Sequence, residues 1–187
     1  MIKKIVLSVL LLICLVIGLY VFAFKAFSPK LALNYCAFCD PNVLNMQTFY
    51  EDELAIALCT HRPILPGHSL VIPKRHVERF EELSDKEILQ IGKVIKLVNE
   101  ATINVFGTAS YLLLQKNGKE VGQSVPHVHF HYVPRKMGDD STAKFLISMF
   151  LANVKPPLSP TESRKIADIM KEAMESLPPQ NMPESRL

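Results

Sequence analysis

The alternation of histidine and apolar residues in PHVHFHYV, residues 126–133, constrains the fold more than any other feature. Successive side chains of a β-strand point to opposite faces, so a period of two predicts a strand with His127, His129 and His131 on one face. The apolar residues at 128, 130 and 132 would share the other face and bury against a helix. The imidazole face cannot be ordinary core, because each buried ring needs a hydrogen-bond partner.

Three interpretations of this histidine face are open on the residues alone. A half-exposed strand can carry a solvated polar face. The His-x-His spacing also occurs in catalytic metal sites with three histidine ligands. The third interpretation, a histidine nucleophile for nucleotidyl or phosphoryl transfer, is favoured by the residues just upstream. Gly122, Gln123 and Ser124 offer an amide, a hydroxyl and backbone N–H groups, which suit phosphate oxygens because these only accept hydrogen bonds.

The N-terminal segment contains a long stretch without charge, IVLSVLLLICLVIGLYVFAF, at residues 5–24. About 20 apolar residues are enough for a helix to cross a bilayer, whereas the apolar part of a secretory signal has about 7–15. We therefore expect an uncleaved, single-pass membrane anchor over residues 1–27. A cleaved signal segment and a buried helix are the alternatives. Lysines flank the stretch on both sides, so the side of the membrane is not specified.

The remaining ~155 residues suit one domain. Strands are predicted at 43–50, 54–59, 68–72 and 110–115, in addition to the histidine strand. A helix should begin at the capping box of Ser84 and Glu87 and end near Gly107. This order predicts an α+β domain with an antiparallel five-stranded sheet and a long packed helix over residues 34–140. An apolar segment, an amphipathic helix at 161–177 and a Pro-rich tail would form an extension over residues 141–187. The net charge of +3 is too small to indicate nucleic-acid binding.

Two segments together resemble one protein family. GQSVPHVHFHYV resembles the histidine triad (HIT) motif, and ALCTHRPILPGHSLVIPKRHVERF resembles the Pro-Gly-His strand and basic turn of the same family. The resemblance covers roughly residues 35–137 and implies a HIT-like fold. It is closest to the fragile-histidine-triad branch, which hydrolyses dinucleoside polyphosphates. The nucleoside phosphoramidases are the other near branch.

The resemblance implies a role for each site residue. His129 would attack the α-phosphorus and form a nucleotidyl-histidine intermediate that water then hydrolyses, and no metal is needed for this chemistry. His131 would donate a hydrogen bond to the bridging or leaving oxygen, and His68 would join the histidine cluster. The implied substrate-binding residues are Gln123, Ser124, Thr60, Asn117 and Lys116.

Two positions depart from the pattern of the resembling family. Thr60 stands where relatives usually carry Asp or Asn for the ribose hydroxyls. Lys116 stands where the fragile-triad branch carries Gln, and lysine is a point charge that suits phosphate. Nucleotide selectivity is therefore open, and a nucleotide-binding module with little turnover is an alternative to the enzyme.

Cys36 and Cys39 form a Cys-x2-Cys pair, which by itself fits a disulfide, free thiols or a metal site. Resemblance to bacterial HIT proteins implies a zinc site completed by His76 and His127. This set has the Cys2His2 composition that is typical of structural zinc. The resemblance also implies a homodimer, with which the apolar helix face is compatible.

Overall fold

The protein is described by a computed structural model that covers residues 2–27, 35–136 and 141–178. The chain divides into two compact units, Met1–Tyr35 and Cys36–Leu187. The predicted Pro-rich tail lies, from residue 179 onward, outside the described residues.

Among the described residues of the first unit, Ile2–Phe27 form helix α1. Crossing a bilayer requires length and apolarity sustained together over about 20 residues. No helix within the described part of the chain meets that requirement. The predicted transmembrane helix is therefore not supported, and the predicted single-pass membrane location is wrong.

The second unit is built on a five-stranded sheet in which all paired strands are antiparallel. The spatial order of the strands is β1-β2-β3-β5-β4. This arrangement confirms the predicted α+β class and the predicted sheet. The strands are β1 at Thr48–Glu51, β2 at Ala55–Cys59, β3 at Ser69–Pro73, β4 at Tyr111–Gln115 and β5 at Phe130–Pro134.

The long helix α3, Asp85–Phe106, confirms the sequence prediction. Ser84 Oγ accepts from Glu87 N at 3.3 Å, and Glu87 Oε2 accepts from Ser84 N at 2.8 Å, which completes the capping box. The helix ends at Gly107 in the left-handed region, with φ of 68°, where glycine carries no steric penalty. Two further helices, α4 at Thr142–Val154 and α5 at Pro160–Glu175, follow the sheet.

Residues 43–47 are helical, so the prediction of a strand over 43–50 is wrong at its start. Helix α2, Pro41–Gln47, precedes a short β1. Asp40 caps this helix by accepting a hydrogen bond from Asn42 N at 2.9 Å, and Pro41 occupies the first turn, where its missing N–H costs nothing. This cap outweighs the strand propensity of the residues that follow.

Strand β5 begins at Phe130, so the prediction of a strand that carries all three histidines is also wrong. Val128 N donates to Val77 O at 2.7 Å instead of to a neighbouring strand, and His127 N donates to Val125 O at 2.8 Å in a local turn. The apolar face is nevertheless as predicted. The side chains at 128 and 132 are fully buried, and the one at 130 packs against the same core.

Strands β2 and β3 are covered on both faces, and every one of their residues is buried. Helices α3 and α5 cover one face, where Val71, Ile91 and Met170 share a core with Tyr132. The opposite face of β2 and β3 packs against the segment around Phe38. Helix α5 of the C-terminal extension is therefore part of the core of the domain.

Candidate active site

A hydrogen bond to a nearby backbone carbonyl orients the ring of His129. His129 Nδ1 lies 2.7 Å from His127 O. A carbonyl only accepts hydrogen bonds, so Nδ1 carries the proton and Nε2 of the neutral ring keeps its lone pair. Burial, together with the charge on Lys116, lowers the pKa of His129, so the ring is neutral at neutral pH. Such a ring nitrogen is a competent nucleophile.

A second histidine lies directly beside His129. The ring centroids of His129 and His131 are 4.9 Å apart. His131 Nδ1 in turn lies 3.0 Å from His68 Nε2, because Leu70, two residues after His68 in the chain, pairs with His131 across β3 and β5. The structure thus brings together the three residues that were predicted to be catalytic.

A single backbone N–H determines which ring nitrogens of His68 and His131 carry the protons. Ile64 N donates to His68 Nδ1 at 3.1 Å, so His68 must carry its proton on Nε2 and donate to His131 Nδ1. His131 is then left with its proton on Nε2. Burial lowers the pKa of His68 to about 4 and, with the neighbouring His129 and His68 rings, that of His131 to about 3. Both rings are therefore neutral at neutral pH, and His131 can offer an N–H donor.

The remaining triad histidine has thiols as its neighbours. The ligand atoms of Cys36, Cys39, His76 and His127 all lie within 4.8 Å of one another. His127 Nδ1 is 3.5 Å from Cys36 Sγ and 3.7 Å from Cys39 Sγ, and His76 Nδ1 is 3.3 Å from Cys39 Sγ. These three separations match edges of a tetrahedron around Zn²⁺, about 3.3–3.8 Å for ordinary Zn–S and Zn–N bonds. The residues therefore fit zinc.

The tautomer of His127 also suits a metal ligand. His127 Nε2 donates to Pro73 O at 2.9 Å, which leaves the Nδ1 lone pair directed at the thiols. A backbone carbonyl on the second ring nitrogen is the usual outer-shell partner of a ligating histidine. Cys36 and Cys39 are free thiols, not a disulfide.

The predicted substrate-binding residues divide into two groups. Thr60 and Lys116 lie at the histidines. Thr60 is buried directly after β2. Its N donates to His68 O at 3.4 Å, and its Oγ1 accepts from Arg62 N at 3.3 Å. Lys116 is half-buried directly after β4, and its charge lowers the pKa of both His129 and His131. Its Nζ lies 3.5 Å from Gly122 O.

The second group contains Gln123, Asn117 and Ser124, of which the first two hold the turns around the site. Gln123 Oε1 accepts from Gly118 N at 2.6 Å, and its Nε2 donates to Glu78 O at 2.8 Å. Asn117 Oδ1 accepts from Phe80 N at 2.8 Å, so its amide is tied to a 3₁₀ turn. Ser124 is exposed.

Sequence reasoning missed the groups that orient the rings. The Phe38 ring packs edge-on against His129 with centroids 5.3 Å apart. Its position between the two cysteines was the signal that could have indicated it. Ile64 N–H and Pro73 O are backbone groups, for which a side-chain pattern gives no signal.

Comparison with known proteins gives a match to the HIT domain over residues 42–138, slightly more than half of the chain. The chain is 39% identical over 114 residues to an uncharacterized HIT-like protein of Methanocaldococcus jannaschii, covering 59% of this chain and 86% of that protein. It is also 39% identical over 95 residues to the bis(5'-nucleosyl)-tetraphosphatase [asymmetrical] of Schizosaccharomyces pombe. That alignment covers 51% of this chain and only about half, 52%, of the relative. The relative named as a nucleotide hydrolase thus supports the hydrolase predicted from the sequence.

A solved structure agrees with these matches. The hypothetical histidine triad nucleotide-binding protein of Sulfolobus tokodaii superposes with a TM-score of 0.60 at 28% identity, covering 76% of this chain and 93% of that one. The sheet order, the clustered histidines and the domain match agree with one another. The chain belongs to the HIT domain family.

Proposed function

We propose that this protein hydrolyses a dinucleoside polyphosphate at the α-phosphate through a nucleotidyl intermediate on His129. The observation that carries the proposal is the hydrogen bond from His129 Nδ1 to His127 O. It fixes the Nε2 lone pair as the free nitrogen, beside a second ring that can donate.

The first step forms a bond between His129 Nε2 and the α-phosphorus. The bond from this phosphorus to the bridging oxygen breaks, and the leaving nucleotide departs with the electron pair. His131 donates a hydrogen bond from Nε2 to that oxygen, where negative charge develops. The positive charge on the modified His129 ring is stabilised by the His127 carbonyl at Nδ1.

The second step is attack by water on the same phosphorus. A new P–O bond forms, and the N–P bond breaks with its electrons returning to Nε2. One water proton stays on the nucleoside monophosphate and the other passes to solvent. His129 is thereby restored as the neutral nucleophile.

The leaving group is proposed to be an anionic polyphosphate and not an amine. A phosphoramidase must supply a full proton to the departing amine, whereas burial lowers the pKa of His131 and favours the neutral ring, which offers a hydrogen bond. A polyphosphate departs without a proton, and the Lys116 cation next to these rings stabilises its charge. The partner that the structure gives to Lys116 Nζ is a neutral acceptor, Gly122 O at 3.5 Å.

We propose that Cys36, Cys39, His76 and His127 hold a structural zinc ion. The ion would supply no bond-breaking chemistry. It would fix the His127 ring and tie the segment around Phe38, which packs against His129, to the turn that follows β3.

We also propose that two copies of the chain associate through β4. This strand lies at the edge of the sheet and exposes Tyr111, Leu112 and Leu113. An exposed apolar edge strand is a template for pairing with another chain. Sedimentation analysis of the purified chain would give a dimer, and a monomer at micromolar concentration would contradict the pairing.

The decisive experiment mixes the full chain with diadenosine tetraphosphate that carries labelled α-phosphorus. Quenching in alkali, where a phosphorus–imidazole bond survives, should show label on the protein before steady state. His129→Ala should carry no label and show no turnover. Binding without turnover in the wild type would favour the nucleotide-binding module, and faster hydrolysis of an adenosine phosphoramidate would favour the phosphoramidase.

A further inference from the structure

The C-terminal extension, residues 141–178, contacts a short segment at the end of β2 by three separate hydrogen bonds. Cys59 Sγ donates to Ser163 O of α5 at 3.3 Å. His61 O accepts from Leu158 N at 2.8 Å, between α4 and α5. Arg62 Nη1 donates to Asn153 O of α4 at 2.8 Å. Each part of the extension thus reaches the same four-residue segment.

This segment begins the loop that joins β2 to β3, residues 61–67, and the loop leads directly to His68. Its base is closed by Thr60 N, which donates to His68 O at 3.4 Å. Within the loop, His68 N donates to Leu65 O at 3.1 Å, and Ile64 N donates to His68 Nδ1 at 3.1 Å. The loop therefore contributes the backbone group that determines the tautomer of His68.

A loop of this length has conformational freedom of its own, which must be restricted if Ile64 N–H is to stay within hydrogen-bond distance of an imidazole. Pro63 and Pro66 restrict the backbone in part. The hydrogen bonds to His61 and Arg62 add external constraints at the start of the loop. These come from residues far away in sequence, since Arg62 and Asn153 are 91 positions apart.

We propose that the C-terminal extension positions the 61–67 loop so that His68 keeps the tautomer that donates to His131, and that Arg62 is a positioning residue for the catalytic pair. When the loop loosens, Ile64 N–H leaves His68 Nδ1, and His68 can exchange its proton between the two nitrogens. His131 then loses the partner that holds its own Nε2–H toward the substrate. The effect on turnover rests on the proposed function, whereas the effect on the tautomers does not.

Deletion of the extension would be an uninformative test, because α5 supplies core residues such as Met170 and Ala173. The hydrogen bond from Arg62 to Asn153 O is a better target for mutation. Arg62 and Asn153 are both exposed, so their hydrogen bond contributes little to global stability. Arg62→Ala removes the bond, and Arg62→Lys can restore a donor to the same carbonyl.

A second arginine provides a matched control. Arg164 Nη1 donates to Asn45 O at 2.9 Å and so joins α5 to α2 in the same way. Neither residue contacts the loop or the histidines through a hydrogen bond described for this structure. Arg164→Ala therefore removes a link between the extension and the domain, together with the ion pair to Asp168. It leaves in place the donors and acceptors of the three hydrogen bonds to residues 59–62.

The first measurement is the nitrogen chemical shift of the histidine rings in the full chain without nucleotide. In the wild type, His68 and His131 should each show a single tautomer with the proton on Nε2. Arg62→Ala should shift both toward a tautomer average, while Arg62→Lys and Arg164→Ala should keep the wild-type signals. Unchanged ring signals in Arg62→Ala would overturn the proposal, even if turnover by the wild type is absent.

The second measurement compares two substrates in the same variants. With diadenosine tetraphosphate, Arg62→Ala should lower kcat by roughly 10–100-fold with KM nearly unchanged, because only the geometry of His131 is disturbed. With an adenosine monophosphate nitrophenyl ester, whose leaving group needs less help, the loss should be smaller. An equal loss for both substrates, or a loss confined to KM, would contradict a positioning role.

The bond to His61 O gives an independent variant, should Arg62→Ala fail to fold. Leu158→Pro removes the N–H donor of this bond, whereas Leu158→Ala keeps the donor and removes the side chain. The proline variant should reproduce the averaged tautomers, and the alanine variant should retain the wild-type ones. The reverse result would show that packing of Leu158, not the hydrogen bond to the loop, is what matters.

Discussion

The two outer histidines of the triad lie on either side of His129 and have neighbours of opposite character. At one end, His127 faces two thiols and donates its other nitrogen to the carbonyl of Pro73. At the other end, His131 faces the ring of His68, which accepts from a backbone N–H. In the proposed site, the backbone acceptor at Pro73 would leave His127 Nδ1 as the metal ligand, and the backbone donor at Ile64 would leave His131 Nε2–H as the donor toward substrate.

The comparison shows that residue type and spacing do not assign a role to a histidine. His127 and His131 are equally far from His129 in sequence, and both rings carry their proton on Nε2. They differ in which nitrogen the protein occupies. Pro73 O accepts from Nε2–H of His127 and leaves its bare Nδ1 toward the thiols, whereas His68 donates to Nδ1 of His131 and leaves its Nε2–H free of that bond. The site therefore has a thiol end, which consists of Cys36, Cys39, His76 and His127, and an imidazole end, which consists of His68 and His131.

The largest effect is expected at the imidazole end. His131→Phe keeps a ring but removes the donor to the leaving oxygen, so turnover of diadenosine tetraphosphate should fall by about 10²–10³-fold. The melting temperature should also fall, because the buried His68 Nε2–H loses its acceptor, so the two proteins are compared well below both melting temperatures. Turnover within a few-fold of the wild-type value would contradict the proposal that His131 donates a hydrogen bond to the leaving oxygen.

The next effect is expected at the thiol end. Cys39→Ser should lose zinc and, with it, the stabilisation that zinc gives to the folded state, about 2.7 kcal/mol when zinc is present at a hundredfold excess over its Kd. Zinc content and urea unfolding measure both quantities. Cys14→Ser, at an exposed cysteine in the other unit, is the control. Full zinc content in the Cys39 variant would argue against this ligand set.

A smaller effect should appear in the pH dependence of stability. The pKa of His68 is about 4 in the folded protein against an ordinary value of 6.5, so between these values the unfolded state binds a proton that the folded state does not. The free energy of unfolding should therefore fall as the pH drops from 6.5 toward 4, by at most about 1.4 kcal/mol per pH unit for this group. Urea unfolding at several pH values should show that the free energy of unfolding changes less with pH in His68→Gln than in the wild type. An equal pH dependence would contradict the burial of a neutral His68.

The smallest effect concerns Lys116. Lys116→Gln should slow turnover of diadenosine tetraphosphate by about fivefold or less at low salt, because a half-exposed cation is screened by solvent. The difference from the wild type should shrink as salt is added. Lys119→Gln, at an exposed lysine three residues away, serves as the control. An equal loss of turnover in both variants would indicate an effect of the protein's overall positive charge instead of a contact between Lys116 and the leaving group.

Local patterns predicted most of the elements of the domain. The capping box of Ser84 and Glu87 fixed the start of α3, and the period of two placed β5, though not its first residue. The strand predicted over residues 43–47 failed because Asp40 and Pro41 form a helix cap. The first two histidines lie outside β5 because Val128 N bonds to Val77 O, a partner about 50 residues away that no local pattern reveals.

The sequence by itself determined which side chains the site contains, because histidine, cysteine and lysine carry their chemistry wherever the chain places them. Only the tertiary structure decided what each ring does. The tautomer of an imidazole depends on the group opposite its second nitrogen, and for His68, His127 and His129 that group belongs to the backbone. Every residue has such backbone groups, so the sequence cannot say which of them a ring will meet. The fold makes that choice by bringing together strands, a loop and a C-terminal extension that are remote along the chain.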